Sequence, residues 1–168
     1  VDQPGMAKYN PLAYTRAMAA VAKRAEPRIL LLPASSMGRD LAPRLAARVN
    51  AGLATDCTEL KYEGGALLAR RPIYNGKAFS TVHFDGGRLQ IASVRPNAFA
   101  AAEPTGSGGE IVTVVVALEA GDARQITREI ARTGGEEKDV TEAAIVVSGG
   151  RSLKSKENFK IIYDLAHA

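Results

Sequence analysis

The chain has 168 residues, 46% of them hydrophobic and 24% charged, the balance of a globular protein with room for one ordinary domain or a domain and part of another. Its net charge is +4, with Lys and Arg scattered among acids, which disfavours the concentrated basic face that nucleic-acid binding needs. A single cysteine, Cys57, excludes an internal disulfide and fits a reducing compartment, and no apolar run approaches the roughly 20 residues that span a bilayer.

The opening residues, Val1-Asp2-Gln3-Pro4-Gly5, carry neither an initiator Met nor a signal-peptide pattern and read as an internal start. Asn10-Pro11 predicts a helix N-cap with proline at the first helical position. Leu12, Ala13, Ala17, Ala20, Val21 and Ala25 then share one helical face, which ends before Pro27. Ile29-Leu30-Leu31-Leu32 is a short unbroken apolar run, read as a strand buried on both faces of a parallel sheet. A second helix is predicted over residues 38–50, with Leu41, Leu45 and Val49 a turn apart and Gly52 as its stop signal.

Residues 57–62, 66–74, 78–84 and 88–94 are suited to short strands, separated by Glu63-Gly64-Gly65, Asn75-Gly76 and Asp85-Gly86-Gly87. Asn-Gly and Asp-Gly-Gly are hairpin signals, so an antiparallel meander is expected. Residues 100–109 read as a Gly/Pro-containing surface loop, and residues 110–118 as another strand, rich in Val. For residues 123–133 the spacing of Ile126 and Ile130 slightly favours a helix over a charged edge strand. The polar stretch from Gly134 to Lys138 is read as a linker, giving expected domains over residues 1–135 and 140–168.

The stretch richest in chemistry is Ala144-Ile145-Val146-Val147-Ser148-Gly149-Gly150-Arg151. It reads as a buried strand, a glycine turn and then an amphipathic helix from about Leu153, the arrangement by which α/β proteins seat a phosphate. Gly150 lets a backbone approach a ligand, and Arg151 adds a forked cation. On spacing alone, a tight turn with an exposed arginine is an equal reading, since two glycines are less specific than a full dinucleotide fingerprint. Ser35-Ser36-Met37-Gly38-Arg39-Asp40 also joins a strand to a helix, as a phosphate loop or, more simply, as helix capping with an Arg39–Asp40 surface pair. His83 and His167 have no Cys or carboxylate at metal-ligand spacing, and Cys57 sits in a strand pattern suited to packing. No nucleophile elbow, paired catalytic carboxylates or Ser/His/Asp set can be assembled.

Three segments together resemble the electron transfer flavoprotein alpha subunit. They are Gly38-Arg39-Asp40-Leu41-Ala42-Pro43-Arg44-Leu45 with Gly52-Leu53-Ala54-Thr55-Asp56 behind it; Arg71-Pro72-Ile73-Tyr74-Asn75-Gly76-Lys77 leading to Ser93-Val94-Arg95-Pro96-Asn97-Ala98-Phe99; and Ile145-Val146-Val147-Ser148-Gly149-Gly150-Arg151-Ser152-Leu153-Lys154. Position 152, usually glycine in that family, is Ser here.

The resemblance implies an α/β fold: a three-layer Rossmann-like first domain containing the strand meander, then the first βα unit of a second, FAD-binding domain. It turns the expectation for residues 124–132 from helix to strand. It implies an electron carrier whose alpha/beta heterodimer holds one FAD, with the arginine matching Arg151 and the adjacent Gly150 in the cofactor site. The first alpha domain would pack on the beta subunit. Acyl-CoA or other dehydrogenases would donate electrons and a quinone oxidoreductase would accept them, in a bacterial cytoplasm or a mitochondrial matrix, with no nucleic acid bound and no direct membrane insertion. About two further strand–helix units would precede the position of Val1. Most of the FAD site, including a Gly-Ala-Ser-Arg segment and a Gln-Thr-Gly loop, would lie beyond Ala168. The sheet edge left without the preceding strands is expected to be covered by a beta subunit, a second copy of the chain or residues outside this sequence. The alternative is a nucleotide-binding regulatory or interaction domain without a redox role, using residues 35–39 as its phosphate loop.

Overall fold

The computed structural model describes residues 6–85, 88–104, 106, 108–131, 140 and 143–168. It divides into two compact units, Val1–Ile130 and Ala131–Ala168.

In the first unit, helix α1 (Pro11–Ala25) begins as its cap predicts: the Asn10 side chain accepts from the Leu12 and Ala13 amides at 3.0 and 3.1 Å. Satisfying otherwise orphaned amides is what makes asparagine a favourable cap. The helix closes on Glu26 in the left-handed region and cannot run on through Pro27. Strand β1 (Ile29–Pro33) leads through a Ser35 cap into α2 (Ser36–Val49). That helix ends on left-handed Asn50, not on Gly52. Gly52 instead opens β2 (Gly52–Cys57), a strand the sequence reading began only at Cys57.

Strands β3 (Glu59–Glu63), β4 (Ala66–Ile73) and β5 (Ala78–His83) form an antiparallel sheet. Its hairpins turn at Gly64 and Gly65, and at Tyr74, Asn75 and Gly76, all at positive φ. The meander ends there. Strand β6 (Gln90–Val94), expected as its fourth antiparallel member, instead lies between β1 and β2 and pairs with both in parallel. The reason is burial on both faces. Ile91 packs with Leu32, Leu45 and Ala46 under α2, while Ala92 packs with Ala54, Cys57, Leu67 and Ala69 against the antiparallel sheet. β6 is therefore the central strand. β1 has only β6 beside it among the described residues, and Leu31 is 52% exposed, so the expectation that residues 29–32 are buried on both faces does not hold.

Helices, a parallel sheet and an antiparallel sheet thus make the α/β architecture expected from the sequence. Two predicted strands of this unit are absent among the described residues. Residues 110–118 form no ladder, although their alternation survives: Val114, Val116 and Leu118 lie against Ala13 and Ala17 of α1, while Val115 is exposed. A strand exists only when a neighbour pairs with its backbone, and none does so here among the described residues. Residues 125–131 are neither the helix that spacing suggested nor the strand that the resemblance suggested. They follow a 3₁₀ turn, Ala120–Arg124, closed by Asp122 accepting from the Glu119 amide at 2.8 Å. Asp122 also takes Arg16 Nε at 2.5 Å, and its carbonyl accepts from Asn10 Nδ2 at 2.9 Å, so the turn is tied to both the cap and the body of α1. The expected linker at residues 134–138 lies outside the described residues.

In the second unit, residues 144–147 form no strand among the described residues, and Ile145 is 85% exposed. The buried-strand expectation fails for the same reason as before: no neighbour pairs with it. A 3₁₀ turn, Arg151–Leu153, follows the glycines, and the helix α3 (Lys160–Ala166) begins later than the predicted start at Leu153.

Candidate functional site

The turn before Arg151 is built by two glycines with different jobs. A Cβ on Gly149 would sit 2.4 Å from Leu153 Cδ1 and 3.2 Å from Ile162 Cγ1, so this glycine lets the chain lie close to α3. A Cβ on Gly150 would meet nothing within 4 Å, which leaves its backbone open to an approaching group. The Leu153 amide donates to the Gly150 carbonyl at 3.1 Å and the Lys154 amide to the Arg151 carbonyl at 3.0 Å. Lys154 takes a left-handed φ of 63° to close the turn, and Asn158 Nδ2 holds the Leu153 carbonyl at 2.6 Å. The Arg151 guanidinium is exposed and makes no hydrogen bond or ion pair among the described residues. The helix N-terminus predicted beside it is not there, because α3 starts at Lys160. What remains is an open glycine next to an uncommitted fork, a pair that fits an anionic phosphate.

The other candidate loop is committed internally. Ser35 Oγ accepts from the Gly38 amide at 3.3 Å, an ordinary N-cap. A Cβ on Gly38 would lie 1.7 Å from the Pro33 carbonyl oxygen, so glycine is required for α2 to pack against the end of β1. The Arg39–Asp40 pair does not form. Asp40 takes the Tyr9 hydroxyl at 2.7 Å and Arg44 Nε at 2.9 Å, and Arg39 reaches Asp56 at 4.0 Å. The Tyr9 hydrogen bond holds the Asp40 carboxyl below its usual range, and burial pushes the Tyr9 phenol well up.

Sequence reasoning quoted Asp56 and Arg95 without joining them. Asp56 sits at the β2 bulge with φ 57°, its amide donating to Ser93 Oγ at 2.9 Å. Arg95 forks onto its two oxygens at 3.1 and 2.6 Å, and that pairing lowers the Asp56 carboxyl pKa. The Ser93-to-Pro96 segment therefore pins the end of β6 to a strained residue of β2. The signal available in sequence was Asp56 before a strand break and a basic residue at the end of a later apolar strand, β6. Cys57 beside it is fully buried, and burial raises its thiol pKa. His83 lies on β5 and His167 caps α3, and among the described residues no three His, Cys, Asp or Glu side chains come together to hold a metal.

The sequence model described as the electron transfer flavoprotein domain matches residues 1–120. The chain belongs to that family. It is 38% identical over 167 residues to "Protein FixB" of Clostridium saccharobutylicum, covering 98% of this chain and 50% of that protein. It is 35% identical over 166 residues to the electron transfer flavoprotein subunit alpha of Bacillus subtilis, covering 98% and 50% respectively. Against the alpha subunit of Thermoanaerobacterium thermosaccharolyticum the identity is 34% over 168 residues, covering 99% and 51%. The chain spans about half the length of these curated relatives. The matched domain includes the Gly38, Asp56 and Arg95 networks, whereas Arg151 lies past residue 120, in the region only the whole-length relatives cover. No helix among the described residues is long and apolar enough to cross a membrane.

Proposed function

We propose that the chain serves as the alpha subunit of a heterodimeric, FAD-containing electron transfer flavoprotein. Electrons enter from acyl-CoA or other dehydrogenases, as in fatty acid β-oxidation, and leave to a quinone oxidoreductase or similar acceptor. The beta subunit is its partner, and the compartment is a bacterial cytoplasm or a mitochondrial matrix. The observation that carries the cofactor part is the exposed Arg151 fork beside Gly150, whose backbone is unobstructed. When bound, FAD supplies the one-electron chemistry, and the protein supplies position and electrostatics. Arg151 holds the anionic diphosphate end through charge-assisted hydrogen bonds, and Gly150 permits the close approach. The first unit acts as scaffold, with Arg16, Arg44 and Arg95 already bound to carboxylates.

The test is FAD retention in the full-length protein copurified with its beta partner. Arg151→Ala should weaken it by about 1.5–3 kcal/mol, the worth of hydrogen bonds to a charged group. Arg151→Lys should restore part of the loss, since it keeps the charge but not the fork. Lys154→Ala should change little. Equal affinity in wild type and Arg151→Ala would make the turn structural and remove the site. An adenine nucleotide copurifying in place of any flavin absorption would favour the regulatory module.

A further inference from the structure

A cavity of about 890 Å³ opens in the first unit at the amino ends of β1 and β6, where Arg28 and Gln90 stand. That volume suits a small organic ligand, such sites running from roughly 300 to 1,000 Å³. Part of its lining is apolar, from alanines of α1 together with Val49 and Leu89. Lys23, Arg28, Arg48 and Arg88 also line it, against a single carboxylate, Glu26. Among the described residues none of these four cations has a carboxylate at ion-pair distance, whereas Arg16, Arg44, Arg70 and Arg95 each have one. Lys23 and Arg48 lie in the last turns of α1 and α2, where the helix dipole favours a cation, but Arg28 and Arg88 lie outside any helix.

Gln90 is only 6% exposed, and its Oε1 accepts from the Leu67 amide at 2.6 Å. That bond ties the start of β4 to β6 at the cavity wall.

We infer that this cavity binds a phosphorylated small molecule of nucleotide size. Its phosphates lie among Lys23, Arg28, Arg48 and Arg88, and its body lies along the apolar lining. Several cations without a carboxylate partner, of which Arg28 donates to the Gly65 carbonyl at 3.0 Å, match a multiply charged group better than a single carboxylate. The site is built from residues of the first unit alone and does not rest on the proposed flavin role.

Calorimetric titration of the full-length protein with ADP and with pyrophosphate, at low ionic strength, tests the inference. Wild type should bind ADP saturably and more tightly than pyrophosphate. Arg88→Glu and Arg48→Glu change exposed side chains with no hydrogen bond or ion pair among the described residues. Each should weaken ADP binding by about tenfold or more. Lys77→Glu, which alters the same net charge away from the cavity, and Arg151→Ala should leave ADP binding unchanged. The inference is overturned by an absence of saturable ADP binding or by pyrophosphate binding as tightly as ADP. It is equally overturned by an equal loss in Lys77→Glu, or by a loss confined to Arg151→Ala.

Discussion

Replacing Gly38 with alanine sets two effects of opposite sign against each other. Glycine within a helix costs roughly 1 kcal/mol relative to alanine, so propensity alone makes Gly38→Ala stabilising. The packing says otherwise. The new Cβ would lie 1.7 Å from the Pro33 carbonyl oxygen and 2.9 Å from its carbon. Both atoms are backbone, at the end of a strand locked in parallel register to β6, so neither can rotate away as a side-chain tip would. Relief needs a shift of more than about 1 Å between α2 and the strand, and overpacking of this kind costs about 3 kcal/mol. Net destabilisation of about 2 kcal/mol is therefore expected, read as a lower urea midpoint at unchanged slope. Gly150→Ala is the companion measurement. Its φ of −112° suits any residue and its Cβ meets nothing, so stability should move by less than about 0.5 kcal/mol. If Gly38→Ala proves as stable as wild type or more so, the close approach of α2 to β1 does not exist in the folded protein.

The remaining expectations concern titration, reactivity and the cofactor. The Asp122 carboxyl is held below its ordinary value of 3.8, chiefly by the Glu119 amide and then by Arg16 against the opposing effect of burial. Because the folded value is the lower one, its contribution is present above pH ~4 and is lost as pH falls through the folded value. Asp122→Asn should be less stable at neutral pH and show a shallower decline below pH ~4, and a decline as steep as wild type would remove Asp122 from that role. Asp40 and Asp56 are lowered too and contribute with the same sign. Cys57, buried with a raised thiol pKa, should resist iodoacetamide in the folded protein and react fully in urea, and rapid labelling without denaturant would contradict the packing. Gly150→Ala, neutral for stability, should still lower FAD retention in the heterodimer if the cofactor's phosphates approach that backbone.

What was legible in the sequence was local. Asn10-Pro11 caps α1 because the groups involved are within three residues of one another. The hairpin at Asn75-Gly76 is legible because positive φ is written into those residue types. Choice of strand partner is not local. Residues 88–94 and 78–84 look alike as short apolar strands, yet β6 is buried through Gln90, Ile91, Ala92 and Ser93 while β5 alternates with exposed positions. Unbroken burial marks a central parallel strand, a sign visible in Ile91-Ala92-Ser93-Val94 that the hairpin signal of Asp85-Gly86-Gly87 overrode. Residues 110–118 and 144–147 show the converse error: β propensity is present, but without a pairing backbone it yields an extended segment and no strand. For the site, the residue types at Gly150 and Arg151 were readable. That Arg95 is committed to Asp56, and so poorly placed to take a phosphate, required the bulge at Asp56 to be seen.

That distinction between committed and uncommitted arginines bears on where function can reside in this fold. An arginine already forked onto a carboxylate must break that pair before it can receive a new anion, and the exchange returns little net free energy. Arg95 on Asp56 is of this kind, Arg16 is divided between Asp122 and Glu119, and each also fixes a backbone element: the β2 bulge in one case, the turn after residue 119 in the other. Their substitution should be felt as stability before anything else. Arg151 has no such engagement among the described residues, and the turn that carries it is closed by bonds that do not involve its side chain. A ligand anion there gains the fork without displacing an internal partner. The two classes of arginine therefore separate experimentally: Arg95→Ala should lower the urea midpoint, whereas Arg151→Ala should leave it unchanged in the absence of cofactor and act only on retention of the bound group.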